Sequence, residues 1–473
     1  MSGKLPTEAL ASYVVRERFD TIAQPAVEMA KQCFLDTLAC SLGGSQTSIG
    51  RIFVGLASLM RSSGKSSILG TSMKTSSPVA AMVNSTLANA LDYDDDLIGH
   101  LGATASAPAL AAGEHLGVSG RELLTSIVVG YEVSARIGAS IQPSANRFNQ
   151  VWGLGTFQVF GAVAKLLKVD EKQTISAFGI AGSNAPVPSV RKTVLGSLGE
   201  VSMVKNNYAM ATFAGVTAAF LARDGFVGRR DILDGDDGFW VMAGSDRCDF
   251  DRMVEGVGTR YEILNVSFKP YPTCRWLHST LDAGLQIVEE NGIKPDEIKH
   301  VYVRTPTYLT KKPHDTREPK DMIEAQFSLP YSLAVALSGV KPGPKWFAPE
   351  MLSNPAILEL SRKIELGPGD EPDQVEVSDE VIESHGGVPS EVEVCVQNRS
   401  YTKKIRYPKG HPTNPVSLEE RKLKFLNLTT PVLGSTKAQH VMHYVQRLER
   451  QSDIVRLSHL LQPPLKLAGG EKS

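Results

Sequence analysis

From Pro25 onward, apolar residues recur at helical spacing for about two hundred residues, and near residue 265 that rhythm stops. Val27, Ala30, Phe34, Leu35, Leu38 and Leu42 set the pattern, with Pro25 in the first turn, where its missing N–H costs nothing. Segments 78–90, 103–116, 120–137, 159–167, 171–181 and 209–224 repeat it in Ala-, Gly- and Leu-rich form. Small residues let helices approach closely and leave few strand-like runs, so the first half is expected to be all-helical rather than a parallel dinucleotide-binding sheet.

Beyond residue 265, Pro270 and Pro272 interrupt any helix. A helix over 276–291 then leads into Val301, Val303 and Thr305, which alternate as a strand does, and a single buried helix is expected over 323–337. Residues 367–380, rich in Asp, Glu, Gly and Pro, read as an exposed loop. Val392, Val394 and Val396 alternate again, 398–400 reads as a turn, and 402–407 returns antiparallel. After Pro415 the helical period resumes over 417–461. The predicted fold class is therefore mainly α: residues 1–265 and 412–473 form one helical domain, and residues 266–411 a smaller α+β domain.

Lys plus Arg (50) nearly balances Asp plus Glu (51), giving a net charge of -1. With no long basic run the chain lacks the footprint of a nucleic-acid or anionic-membrane partner. No apolar stretch is long enough to span a bilayer, and the first sixteen residues do not read as a leader. Five cysteines without a C-x-x-C pair suggest neither a disulfide framework nor a thiolate zinc site. A cytosolic protein without metal or cofactor is expected. Gly64-Lys65-Ser66 lacks the earlier glycine of a phosphate loop, and Gly153-Leu154-Gly155 lacks the strand and third glycine of a dinucleotide fingerprint.

The chemistry-bearing segment is Asp92-Tyr93-Asp94-Asp95-Asp96 with His100, set between apolar helices. Buried, such a cluster would require partners for every carboxylate; on the residues alone it reads as a solvated loop with Asp96 capping the next helix. Lys205 precedes the apolar run 209–221, at a helix start where backbone N–H groups favour anions. Arg275 and His278 follow Lys269-Pro270-Tyr271-Pro272.

These segments occur in a definite order: Leu91-Asp92-Tyr93-Asp94-Asp95 with His100, Gly130-Tyr131-Glu132-Val133, Arg136-Ile137-Gly138, Lys205, Lys269-Pro270-Tyr271-Pro272 with His278, Ala325-Gln326-Phe327-Ser328-Leu329-Pro330-Tyr331, and Lys409-Gly410-His411-Pro412-Thr413-Asn414-Pro415. Together they resemble the MmgE/PrpD family, which includes 2-methylcitrate dehydratases, cis-aconitate decarboxylases and iminodisuccinate epimerase, over nearly the whole chain.

The resemblance implies a helical domain with an α+β lid, a homodimer, and a cofactor-free site in the cleft between them that takes a small polycarboxylate. It places site residues at Asp92, His100, Lys205, His278 and Tyr308, with Lys269 and Arg275 matching substrate charge. His278 is expected to be the acid/base group, His100 its partner or a hydrogen-bond donor, Lys205 a clamp and Asp92 a residue that orients the loop or tunes His100. Asp96 stands where the decarboxylases use Thr, His100 is followed by Leu101 rather than Pro, and Asn149 to Thr156 holds no second histidine, leaving Trp152 to supply shape and one N–H donor. The expected reaction is dehydration of a citrate-type acid; dicarboxylate epimerisation, cis-aconitate-type decarboxylation and a non-catalytic dimeric scaffold are the alternatives.

Overall fold

The computed structural model describes residues 5–141, 154–187, 202–369 and 388–464, with residues 154–158, 160 and 203–207 described by their backbone alone. Its first part consists mainly of helices: α1 (Pro6–Arg16), α2 (Gln24–Gly44), α3 (Ser48–Met60), α4 (Ser77–Asn89), α5 (Ala107–Leu116), α6 (Gly120–Ser140), α7 (Leu154–Leu167), α8 (Glu171–Ser183) and α9 (Met203–Arg223). Local chemistry starts several of them. Ser119 and Glu122 close a capping box at α6, and Asp170 with Gln173 does the same at α8.

Helix α2 runs through the centre, with Phe34, Leu38 and Leu42 wholly buried, and packs on α4 and α6. Small residues allow this proximity: a Cβ on Gly44 would lie 1.9 Å from the Leu87 carbonyl oxygen of α4. The expectation of an all-helical first half needs one correction. A short hairpin, β1 (Ser66–Ser67) with β2 (Lys74–Thr75), lies between α3 and α4, too brief to leave a periodic signature.

The second part contains α10 (His278–Asn291), β3 (Ile298–Thr305), α11 (Met322–Phe327), α12 (Leu329–Leu337), α13 (Pro355–Arg362), β4 (Ile364–Pro368), β5 (Ser390–Val396) and β6 (Arg399–Ile405). The four strands form one sheet in the order β4-β3-β5-β6, with β3 and β4 parallel and the other pairs antiparallel. Val392 and Val394 are buried, and α10 packs against β5 and β6.

Three sequence expectations change here. The helix expected over 323–337 is two helices, because Ser328 caps α12 by accepting from the Tyr331 N–H, and Pro330 belongs in a first turn and not a helix interior. The hairpin turn is Gln397-Asn398 rather than 398–400, with Gln397 at φ 44 and Val396 paired to Arg399. Strand β4 was not foreseen; it ends in Pro368, which an edge strand tolerates. Residues 370–380 of the expected exposed loop lie outside the described residues.

After the sheet, α14 (Leu418–Leu433) and α15 (Ser435–Gln446) return to pack on α2. The mainly α architecture with a smaller α/β part is thus as the sequence predicts. At the junction, Asp96 and Ser267 exchange backbone hydrogen bonds of 2.9 Å, and the Phe268 N–H donates to the Gly410 carbonyl at 3.1 Å. Asp96 is therefore not a helix cap: it is a β-bridge residue tying the acidic loop to the chain that enters the second part. Among the described residues, no helix is long and apolar enough to cross a membrane.

Candidate active site

The acidic loop leaves α4 and reverses twice through left-handed residues, Asp92 at φ 50 and Ile98 at φ 53. Aspartate tolerates that region better than bulkier residues do, so the first reversal suits the sequence, whereas β-branched Ile98 is strained at the second. The loop is not solvated: Asp92, Asp94 and Asp95 are buried. The reading of a water-facing cluster fails because each carboxylate has a partner that lies far away in sequence or was not recognised as one.

Asp92 Oδ1 accepts from Lys269 Nζ at 2.8 Å, and the same ammonium donates to the Asp92 carbonyl at 3.1 Å. Asp94 Oδ1 lies 3.0 Å from His100 Nδ1 and accepts from Asn89 Nδ2 at 3.1 Å. Asp95 takes the Tyr131 hydroxyl at 2.5 Å and the Gly102 N–H at 2.7 Å. Nearby, Lys424 of α14 pairs with Asp36 of α2 at 2.6 Å, donates to the Tyr93 carbonyl at 2.6 Å and lies 4.2 Å from the Tyr93 ring centroid. The loop is therefore held by cations from both distant parts of the chain.

Burial disfavours every charge here, and the partners decide the balance. Burial pulls Lys269 down, but Asp92, Asp94 and Asp96 outweigh it and hold the ammonium above its ordinary value. Lys424 is raised in the same way, mainly by Asp36. For Asp94, burial is overcome by His100 and Lys269, which hold the carboxyl below its usual range. Asp95 forms no ion pair among the described residues, and burial and then the Asp36 charge push it up to about 7.

On the other wall, a short turn over Arg275–Leu277 precedes α10. Arg275 Nη1 donates to the Lys409 carbonyl at 3.0 Å and lies 3.2 Å from His278 Nδ1. His278 Nε2 is 3.3 Å from the Thr273 carbonyl. A carbonyl can only accept and a guanidinium can only donate, so His278 is a neutral imidazole with its proton on Nε2. Burial, then the charges of Arg275 and Lys269, push His278 well below the usual histidine range. Arg275 is itself buried, which brings it down to about 10 against the pull of Asp96 and Asp282. Its Nε and Nη2 are enclosed and have no hydrogen-bond partner among the described residues.

The two walls are joined by the Tyr93 hydroxyl on the Pro270 carbonyl (3.0 Å) and Gln326 Nε2 on the Ala90 carbonyl (2.9 Å). Tyr271 stands edge-on to His278 with ring centroids 5.2 Å apart, and its hydroxyl is held by Asp282. Tyr308 packs edge-on to Trp276, next to Arg275. Lys205 lies in the first turn of α9, and Tyr208 of the same helix sets its ring 5.2 Å from that of His100. Trp152 lies outside the described residues.

The structure thus brings Asp92, His100 and Lys269 together in one cluster, and Arg275 and His278 in another across the junction. Lys269 sits differently from a substrate clamp: its ammonium is enclosed and engaged with Asp92, so its charge neutralises the loop. Sequence reasoning gave no individual role to Asn89, Asp94, Gln326, Lys424 or Tyr208. A rule that every buried carboxylate needs a donor could have drawn attention to Asn89 and Lys424, but not to the others.

Asp92, Asp94 and His100 offer ligand atoms within 4.8 Å of one another, a spacing that a metal ion could bridge. The Lys269 ammonium already supplies the cation at Asp92, and a divalent ion beside it would be repelled. A cavity of about 490 Å³ lined by Phe19, Arg121 and Lys165 shares no residue with either cluster. The two enclosed guanidinium nitrogens of Arg275 without a hydrogen-bond partner among the described residues, not that cavity, mark where a polar ligand would be accommodated.

Residues 8–250 match the MmgE/PrpD N-terminal domain and residues 271–450 the MmgE/PrpD C-terminal domain. A cis-aconitate decarboxylase of Aspergillus terreus is 26% identical over 478 residues, covering 94% of this chain and 94% of the relative. The Homo sapiens cis-aconitate decarboxylase is 24% identical over 476 residues, covering 97% and 95%. Two domain matches in the expected order, together spanning most of its length, place the chain in the MmgE/PrpD family.

Proposed function

We propose that the protein is a cofactor-independent lyase acting on a small di- or tricarboxylate by proton transfer at a carbon beside a carboxylate. The observation that carries this reading is Arg275, a buried guanidinium whose Nε and Nη2 have no hydrogen-bond partner among the described residues. Leaving such a group unpaired costs several kcal/mol, and its planar fork matches a carboxylate in two-point contact. The relatives named cis-aconitate decarboxylase support a polycarboxylate substrate. Dehydration remains the favoured reaction, because Asn149 to Thr156 carries no second histidine.

Incubation with a panel of di- and tricarboxylic acids in heavy water, followed by proton NMR, tests this. Loss of water is the expected result, and CO2 release keeps the lyase class while changing the reaction. Deuterium exchange without elimination replaces the lyase by an epimerase, and no change across the panel leaves a scaffold. With the substrate in hand, Arg275→Gln should weaken its binding by about 10–100-fold, the worth of a charge-assisted contact; unchanged affinity would remove the clamp.

A homodimer belongs to the same proposal. It is supported by α3, which leaves Ile52 (64%) and Leu59 (79%) exposed on one apolar helix. Sedimentation should show a dimer that Ile52→Glu with Leu59→Glu dissociates; a wild-type monomer ends this part of the reading.

A further inference from the structure

Asp94 was not among the residues expected to act, yet it is the charged group in hydrogen-bond contact with His100. Its carboxylate is wholly buried, and Oδ1 is approached by His100 Nδ1 at 3.0 Å and Asn89 Nδ2 at 3.1 Å, while these two nitrogens lie 3.0 Å apart. The proton arrangement follows from what each atom can do. A bare Nδ1 would set its lone pair against a carboxylate oxygen at hydrogen-bond distance, two acceptors facing each other. Turning the Asn89 amide around would place its carbonyl against the same carboxylate. The arrangement that avoids facing acceptors has Asn89 and a proton on Nδ1 both donating to the same Asp94 oxygen; it leaves two donor nitrogens 3.0 Å apart, a smaller cost because that oxygen accepts from both.

We infer that Asp94 is a positioning residue that fixes His100 with its proton on Nδ1, so that Nε2 presents a lone pair to the cleft. The rest of the site agrees. Nε2 is 3.6 Å from Asp92 Oδ1, longer than a hydrogen bond, and that oxygen is already taken by Lys269. The His100 side chain retains 18% exposure where Asp94 has none, so the ring is not sealed in with the carboxylate that holds it. A histidine oriented by a carboxylate at one nitrogen and open at the other is the arrangement general-base catalysis needs. Asp92, next to the same ring, is instead the counter-ion of Lys269.

The assignment of the proton rests on geometry alone; only its consequence for turnover rests on the proposed function. The test therefore has two readouts. In the full-length protein with 15N-labelled histidine, the His100 ring nitrogens, identified by their loss in His100→Gln, should report the Nδ1–H form at a pH where the ring is neutral. Asp94→Asn should move that proton to Nε2, because the asparagine amide can donate to Nδ1. An Nε2–H signal in the wild type overturns the inference even if the variant does not fold. In a folded Asp94→Asn protein, turnover of the acid identified above should fall by about 10²–10⁴-fold with KM changed only a few-fold. Turnover near wild type, or a fall that appears only in KM, overturns the catalytic part. Failure of every acid in the panel instead removes the proposed function and leaves the NMR result standing.

Discussion

Lys269→Ala is expected to destabilise the protein by about 3–5 kcal/mol, enough to lower the apparent thermal midpoint by roughly 3–5 °C. The ammonium is only 1% exposed and holds Asp92 through both its carboxylate and its carbonyl. Removing it leaves an uncompensated buried charge beside Asp94, a costlier outcome than never having had the pair. The pH dependence has a definite sign. Lys269 is held above its ordinary value, so its contribution is complete at neutral pH and is lost only in strong alkali, as pH rises through the raised value. Asp94 is held below its ordinary value, so its contribution is lost as pH falls through that lowered value. The penalty of Lys269→Ala should be largest between neutral and mildly alkaline pH and shrink in acid, because the variant's buried carboxyls, no longer held down by the ammonium, take up protons there. Thermal and denaturant unfolding at pH 5 and pH 8 would show this. A loss below about 1 kcal/mol at pH 8 would mean that the ammonium does not hold the loop. A Lys269→Met, Asp92→Leu double variant should lose less than Lys269→Ala alone, since no charge is stranded.

The same cluster marks the limit of what the residues reveal in order. Helices α2, α4, α6 and α8 were legible because each has one long amphipathic or small-residue pattern and, for α6 and α8, a capping signature beside it. The alternation of Val392 and Val394 likewise announced β5, because one face of a strand must bury. Strand β4 was hidden because five residues ending in Gly-Pro carry too little alternation to register. At the site, the acidic run was conspicuous, but its burial was not, because the compensating groups come from elsewhere: Lys269 stands 177 residues beyond Asp92, and Lys424 lies 331 residues beyond Tyr93. Local patterns report propensity and periodicity, whereas long-range ion pairing is decided by how the two ends of the chain meet. For the same reason the burial of Arg275, a residue expected to match substrate charge, was not legible from its neighbours in sequence, and only its enclosure shows that part of its fork lacks a hydrogen-bond partner among the described residues.

His100→Gln is expected to lower turnover by about 10²–10⁴-fold while changing substrate affinity by less than about tenfold, the pattern of a lost proton-transfer group. This reverses the order of roles expected from the sequence, where His278 was placed first. Both nitrogens of His278 are occupied, Nδ1 by Arg275 and Nε2 by the Thr273 carbonyl, and burial beside two cations keeps the ring neutral. Gaining a proton would set a second charge against Arg275, so His278 is poorly placed as an acid. Its geometry suits it to steer the Arg275 fork, and His278→Gln should act mainly on substrate affinity. His100, by contrast, is anchored at one nitrogen and open at the other, with no cation in contact with its ring among the described residues. Glutamine keeps one hydrogen bond to Asp94 and removes the exchangeable ring proton, which separates chemistry from packing. Steady-state rates and direct binding measurements on both variants, with the fold checked by circular dichroism, decide between the two histidines. If His278→Gln loses more turnover than His100→Gln while binding substrate normally, the proton is moved by the buried ring, and the assignment must be exchanged.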